Sequence, residues 1–99
     1  MAITKQYLKS KPVCKVTFSI LAEDAEKVSV VGSFNEWDAE ATPLKKLKNG
    51  IFKTTLDLDK DNSYEFKYLI DETVYANDDA ADGYVWNDFA SADNSVINV

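Results

Sequence analysis

Cys14, Val16, Phe18 and Ile20 are separated by Lys15, Thr17 and Ser19, the period-two pattern of a strand with one face in a core and one in water. Pro12 leads into it, where a missing amide donor is tolerated. Lys27 to Val31 predicts a second strand, closed by Gly32. Asn49-Gly50, between Leu47 and Ile51, predicts a hairpin. Beyond it, Phe52, Thr54, Leu56 and Leu58 share one face, and Lys53, Thr55 and Asp57 the other. Asp59 to Asn62 has turn composition, and Tyr64, Phe66, Tyr68 and Ile70 then alternate with Glu65, Lys67 and Leu69. A short strand is expected near Thr73 to Ala76, a polar loop from Asn77 to Asp93, and a last strand from Ser95 to Val99. No segment holds a helical period, and residues 2–9 would form at most one or two helical turns. Short strands punctuated by turns predict an all-β, immunoglobulin-like antiparallel β-sandwich. Residues 1–99 read as a single domain, with 1–11 a loosely ordered N-terminal extension.

Composition supports a packed core: 45% of the 99 residues are hydrophobic and 12% aromatic. The net charge of −6 is unevenly placed. Residues 1–50 hold 8 Lys and 6 acids, whereas 51–99 hold 3 Lys and 11 acids. Such a balance argues against a nucleic-acid partner, which needs clustered cations. Nothing approaches the apolar length of a membrane span, and the N-terminus lacks the apolar run of a signal peptide. A lone cysteine, Cys14, fits a reducing compartment, so the expected location is the cytoplasm.

Catalysis finds little to work with. The chain has no histidine, the commonest general base near neutral pH and the commonest metal ligand. The carboxylate pairs Asp71/Glu72 and Asp78/Asp79 sit in loops, where solvated charge is the ordinary reading. Asp57 to Asn62 resembles the start of a calcium loop, but the sixth position is Asn62 instead of Gly and the twelfth is Tyr68 instead of Glu. Three glycines make no phosphate loop. A binding or interaction module is expected, not an enzyme, with no cofactor and no metal.

The stretch "VVGSFNEWD" (Val30–Asp38) resembles the Gly-x-Phe-Asn-x-Trp signature of glycogen-binding modules. These include the isoamylase N-terminal domains and the glycogen-binding domain of the AMP-activated kinase β subunit. They form carbohydrate-binding module family forty-eight, an early-set immunoglobulin-like sandwich. "TPLKKLKNGIFKTTLDL" continues the resemblance, "YEFKYLID" is similar to the family's Tyr-x-Phe-Lys-Tyr-x-Val-Asp-Gly, and "DNSVINV" is similar to its closing segment. The order and spacing agree from about Val28 to Val99. The chain also looks like the small free-standing proteins that carry this domain alone. The resemblance implies non-catalytic binding of α-1,4-glucan: glycogen, starch or maltooligosaccharide. It matches Trp37 to the stacking tryptophan, Lys67 to a lysine reaching sugar hydroxyls, and Asn94 to an asparagine bonding the sugar. The family usually reads Asp-Gly and then a second tryptophan. Here Glu72 replaces the Gly and Val74 takes the tryptophan's expected place, with Tyr75 on the opposite face and Trp86 a candidate substitute. Near Ala90 and Ala92 the family's clamping leucine and threonine are replaced, with Phe89 a candidate stand-in. The alternative implied is a protein-interaction domain of the same fold with a degenerate sugar site, associated with a glycan-processing enzyme.

The residue types suit sugar chemistry on their own terms. A pyranose face is lined with C–H groups, so a flat ring covers it without stranding polar atoms. Its rim hydroxyls need partners: Lys67 donates, and Asn94 both donates and accepts. Residue type alone leaves other readings open. Trp37 and Trp86 suit plugs over the sandwich ends, Lys67 an ordinary surface lysine, and Asn94 a turn before the last strand. Phe34 follows its strand directly and is expected in the core.

Overall fold

The computed structural model describes residues 2–89 and 91–99, which form nine strands and no helix. In chain order these are β1 (Ala2–Tyr7), β2 (Val13–Leu21), β3 (Val28–Gly32), β4 (Lys45–Lys46), β5 (Ile51–Asp59), β6 (Ser63–Ile70), β7 (Val74–Ala76), β8 (Gly83–Asn87) and β9 (Ala92–Asn98). Two antiparallel sheets result. One has the order β1-β2-β5-β4; the other runs β3-β6-β9-β8, with β7 also paired to β6. They pack face to face, as the alternating pattern requires. No helix among the described residues is long and apolar enough to cross a membrane.

The core lies where period two puts it. Cys14, Val16, Phe18 and Ile20 of β2 face Val28 and Val30 of β3, Phe66 and Tyr68 of β6, and Ile97 of β9, all buried. Phe18 is the hub. Its ring centroid lies 5.1 Å from Phe66, 6.0 Å from Phe34 and 6.4 Å from Tyr68, tilted or edge-on, as ring quadrupoles prefer.

Two segments differ from the expectation. Residues 2–7, expected within a loosely ordered extension or a short helical turn, pair along β2 from Ala2↔Ser19 to Tyr7↔Cys14. An edge strand buries only part of one face, so its sequence carries a weak alternation. Lys5 fastens it, its Nζ lying 2.6 Å from Asp82 Oδ2 just ahead of β8. The polar stretch 77–93 contains β8, whose Tyr84, Val85 and Trp86 are all exposed and so show no burial alternation.

The second sheet splits along one strand. β6 pairs with β9 from Ser63↔Asn98 to Phe66↔Ser95, and with β7 from Tyr68↔Ala76 to Ile70↔Val74. β3 occupies its other edge. The edge facing β9 and β7 therefore forks, and Lys67 is the residue at the fork.

Candidate functional site

Trp37 is presented by a tight loop after β3. Gly32 carries the approach: a Cβ there would lie 2.4 Å from the Glu65 carbonyl oxygen and 2.9 Å from Phe66 Cβ. Without it, the strand packs directly on β6. Asn35 then ties the loop from its side chain. Its Oδ1 accepts the Gly32 N–H at 3.0 Å, and its Nδ2 donates to the Val30 carbonyl and to Thr42 Oγ1, both at 3.0 Å. The Gly32 carbonyl accepts the Asn35 and Trp37 N–H groups at 3.1 and 2.9 Å. Glu36 and Trp37 both take left-handed backbone, φ 58° each. Such conformations cost roughly 1–3 kcal/mol per non-glycine residue and persist only where surroundings impose them. Phe34 points inward, 6.1 Å from Tyr64, as expected of it. Trp37 is left 41% exposed.

The fork in β6 brings the other candidates to this ring. A concavity of about 460 Å³ is lined by Trp37, Lys67, Tyr75, Asn87, Phe89 and Asn94. A second hollow of about 390 Å³ shares Trp37, Asn87 and Asn94 and adds Ser33, Glu65, Trp86 and Asp88 among its walls. Tyr75 thus joins Trp37, Lys67 and Asn94, whereas Trp86 stands in the adjoining hollow, its Nε1 donating to Asp88 Oδ1 at 2.6 Å. Val74 pairs with Ile70 and Tyr75 with Leu69. This register puts Tyr75 on the same side of the sheet as Lys67, so an aromatic ring is present one position later than the resemblance indicates. Phe89 stands fully in solvent at the rim (relative exposure 101%), and Ala90 lies outside the described residues.

Lys67 differs from an ordinary surface lysine. It is only 9% exposed, on a face where Val31 and Leu69 are buried as well. No described residue hydrogen-bonds or ion-pairs with its ammonium. Its stem is packed in the sheet, and its unpaired ammonium is available to an incoming acceptor. Asn94 is 3% exposed, and its Nδ2 donates to Glu65 Oε1 at 3.1 Å. Ser33 Oγ accepts the Glu65 N–H at 3.1 Å, locking this acid's backbone to the Trp37 loop. The sequence assigns no site role to Asn35, Glu65 or Asn87. For Asn35 the signal was available, because an asparagine three residues after a strand-ending glycine is turn chemistry.

Beneath the site, Tyr68 Oη donates to Asp78 Oδ2 at 2.6 Å, with Tyr68 and Asp78 both fully buried. Burial first, and then this hydrogen bond, holds the phenol well above its ordinary pKa. It stays a donor throughout the physiological range.

The profile of carbohydrate-binding module 48, the isoamylase N-terminal domain, matches residues 6–89. The chain belongs to this family. The carbohydrate-binding module 48 match accounts for the immunoglobulin-like early-set sandwich and gives the domain a carbohydrate-binding role. It is similar to the 1,4-alpha-glucan branching enzyme of Photobacterium profundum, 34% identical over 58 residues, covering 58% of this chain and 8% of that enzyme. The branching enzyme of Aquifex aeolicus is 38% identical over 63 residues, 62% of this chain and 10% of that enzyme. That of Nitrosospira multiformis is 56% identical over 32 residues, 32% of this chain and 4% of that enzyme. The chain spans a tenth or less of the length of these relatives. The family is a binding module, as distinct from a catalytic domain.

Proposed function

We propose that this module binds α-1,4-linked glucan without acting on it, by stacking sugar faces on Trp37 and Tyr75 and hydrogen-bonding their rims through Lys67 and Asn94. The observation that supports this most is the convergence of all four on one concavity, among them a largely buried lysine whose ammonium no described residue pairs. Flat rings beside fixed donors are what a pyranose requires. Trp86 in the adjoining hollow extends the aromatic surface to a further sugar. Affinity is modest, because a few exposed rings must offset the ordering of a flexible oligosaccharide.

The test is a maltoheptaose titration followed by NMR. The Trp37 indole and the Lys67 and Asn94 amides should move together and saturate at millimolar sugar or below. Trp37→Ala should abolish the response while keeping the fold. No perturbation by maltoheptaose, glycogen or β-cyclodextrin would overturn the reading and leave the protein-interaction alternative.

A further inference from the structure

Two of the strands that line the concavity do not hold each other. Lys67 is on β6, Tyr75 on β7 and Asn94 on β9. β7 and β9 are both partners of β6, but they are not paired with each other. At Lys67 the ladder changes partner, from Ser95 opposite Phe66 to Ala76 opposite Tyr68. Tyr75 is one rung into the β7 ladder, opposite Leu69, and Asn94 is one residue past the last β9 rung at Ser95. Each prong is laddered to β6, but no ladder joins one prong to the other, so the side chains in the split complete the spacing between them.

What fills the split is a hydrogen-bonded set of polar groups centred on Tyr68, Asp78 and Ser95, all buried. Asp78, fully buried, follows β7 by two residues. Its Oδ2 accepts the Tyr68 hydroxyl at 2.6 Å, and its Oδ1 accepts the Ala80 N–H at 2.8 Å. Its own N–H donates to Ser95 Oγ at 3.0 Å, and Ser95 Oγ donates to Asn77 Oδ1 at 2.8 Å. Asn77 Nδ2 donates to the Asp93 carbonyl at 2.9 Å, and Tyr84 Oη donates to the Asp78 carbonyl at 2.5 Å. Each end of this chain of bonds touches a neighbour of a site residue: Tyr68 adjoins Lys67, while Asp93 and Ser95 flank Asn94.

We propose that Asp78, acting through Tyr68 and Ser95, is the positioning residue of the sugar face: it fixes the spacing of the β7 and β9 prongs and so the distance between Tyr75 and Asn94 across the concavity. The part that concerns sugar rests on the proposed glucan binding; the spacing itself does not. An aliphatic residue at 78 would fill volume but would leave the Tyr68 hydroxyl unpaired in the core and the Ala80 N–H without its partner. The prongs would then relax apart or together to find partners. Asn at 78 keeps both contacts, because its amide oxygen accepts from Ala80 and its NH2 donates to the Tyr68 oxygen.

The experiment compares wild type with Asp78→Ala, Asp78→Asn, the milder Tyr68→Phe, and Leu58→Ala as a buried control on the opposite sheet. Without sugar, residual dipolar couplings of the Val74–Ala76 and Ala92–Asn98 amides report the angle between the prongs. That angle should change in Asp78→Ala and Tyr68→Phe, and stay at the wild-type value in Asp78→Asn and Leu58→Ala. Maltoheptaose binding should weaken about tenfold in Asp78→Ala, the worth of one polar contact, and stay within about twofold in Asp78→Asn and Leu58→Ala. Tyr68→Phe decides the matter if Asp78→Ala does not fold. Unchanged couplings in the folded variants, or an equal loss of affinity in Leu58→Ala, would overturn the proposal. Altered couplings in a protein whose wild type ignores maltoheptaose would refute the glucan reading and leave the positioning role standing.

Discussion

Asn35 shows how much a single side chain decides. One carboxamide satisfies a strand-end N–H, a strand carbonyl and a threonine hydroxyl, and the left-handed pair Glu36 and Trp37 follows from the path it enforces. Asn35→Ala leaves all three groups without that partner. The expected cost is about 1–3 kcal/mol in denaturant unfolding, since abandoning buried polar groups costs more than a hydrogen bond gains. Trp37 would also lose its fixed pose, so the indole NMR response to maltoheptaose should weaken in the same variant. An Asn35→Ala protein of wild-type stability would show that the loop is held by its backbone bonds alone. The family signature locates Trp37 in the sequence. Its outward pose is legible only once Asn35 and Gly32 are seen to trap the loop against β6.

At the scale of elements, the turn from β6 to β7 does comparable work. Asp71 and Glu72 both have positive φ, 51° and 61°, where the family's pattern would supply a glycine at the second. The Asp71 carboxylate offsets this by accepting the Glu26 and Lys27 N–H groups at 2.8 and 3.0 Å, while Glu72 pairs with the Lys27 ammonium. The Lys27 N–H, followed by that of Glu26, draws the Asp71 carboxyl below its usual range. A carboxyl lowered by folding stabilises the native state above its unfolded pKa, about 3.9, and ceases to do so as pH falls through the lower folded value. Asp71→Asn should therefore melt below wild type at pH 7, and the gap in Tm should close as pH drops below about 4. A pH-independent gap would assign the effect to shape alone. This turn also explains a limit of sequence reading. The alternation of β2 and β5 was legible because one face is buried and the other is not, whereas Phe66 to Leu69 of β6 are buried on both faces although the sequence alternates. The face of Tyr75 was not legible, because it depends on pairing Ile70 with Val74 across a three-residue turn. β8 was hidden for a different reason: all three of its large apolar side chains face water.

For the molecule as a whole, charge and closure matter together. No Lys or Arg occurs after Lys67, while seven acids do. The acidic half must be held to the rest by something other than broad attraction. Lys5 supplies one point, joining the edge strand of the first sheet to Asp82, which also accepts the Asn98 N–H at 2.8 Å. Residues 2–7 thus act as a strap between the two sheets as well as a cover for β2. Deleting residues 1–7 should lower Tm and bare the β2 edge. Concentration-dependent association in analytical ultracentrifugation would follow, as unprotected edges pair. A truncated protein that stays monomeric with unchanged Tm would reduce β1 to an ornament. The sandwich and its core were legible from alternation. The strap was not, because most of this six-residue strand faces solvent and its anchoring ion pair spans 77 residues.

The forked edge of β6 has a consequence for descent. In most sheets the gap between neighbouring strands is dictated by backbone geometry and is nearly invariant. Here the two prongs are spaced by a few polar side chains, Asp78 and Ser95 buried among them. Substitutions at Asn77, Asp78 and Ser95 can widen or narrow the mouth without disturbing a single rung of either ladder. Lineages sharing this scaffold are free to retune what fits between the prongs while inheriting the same sandwich.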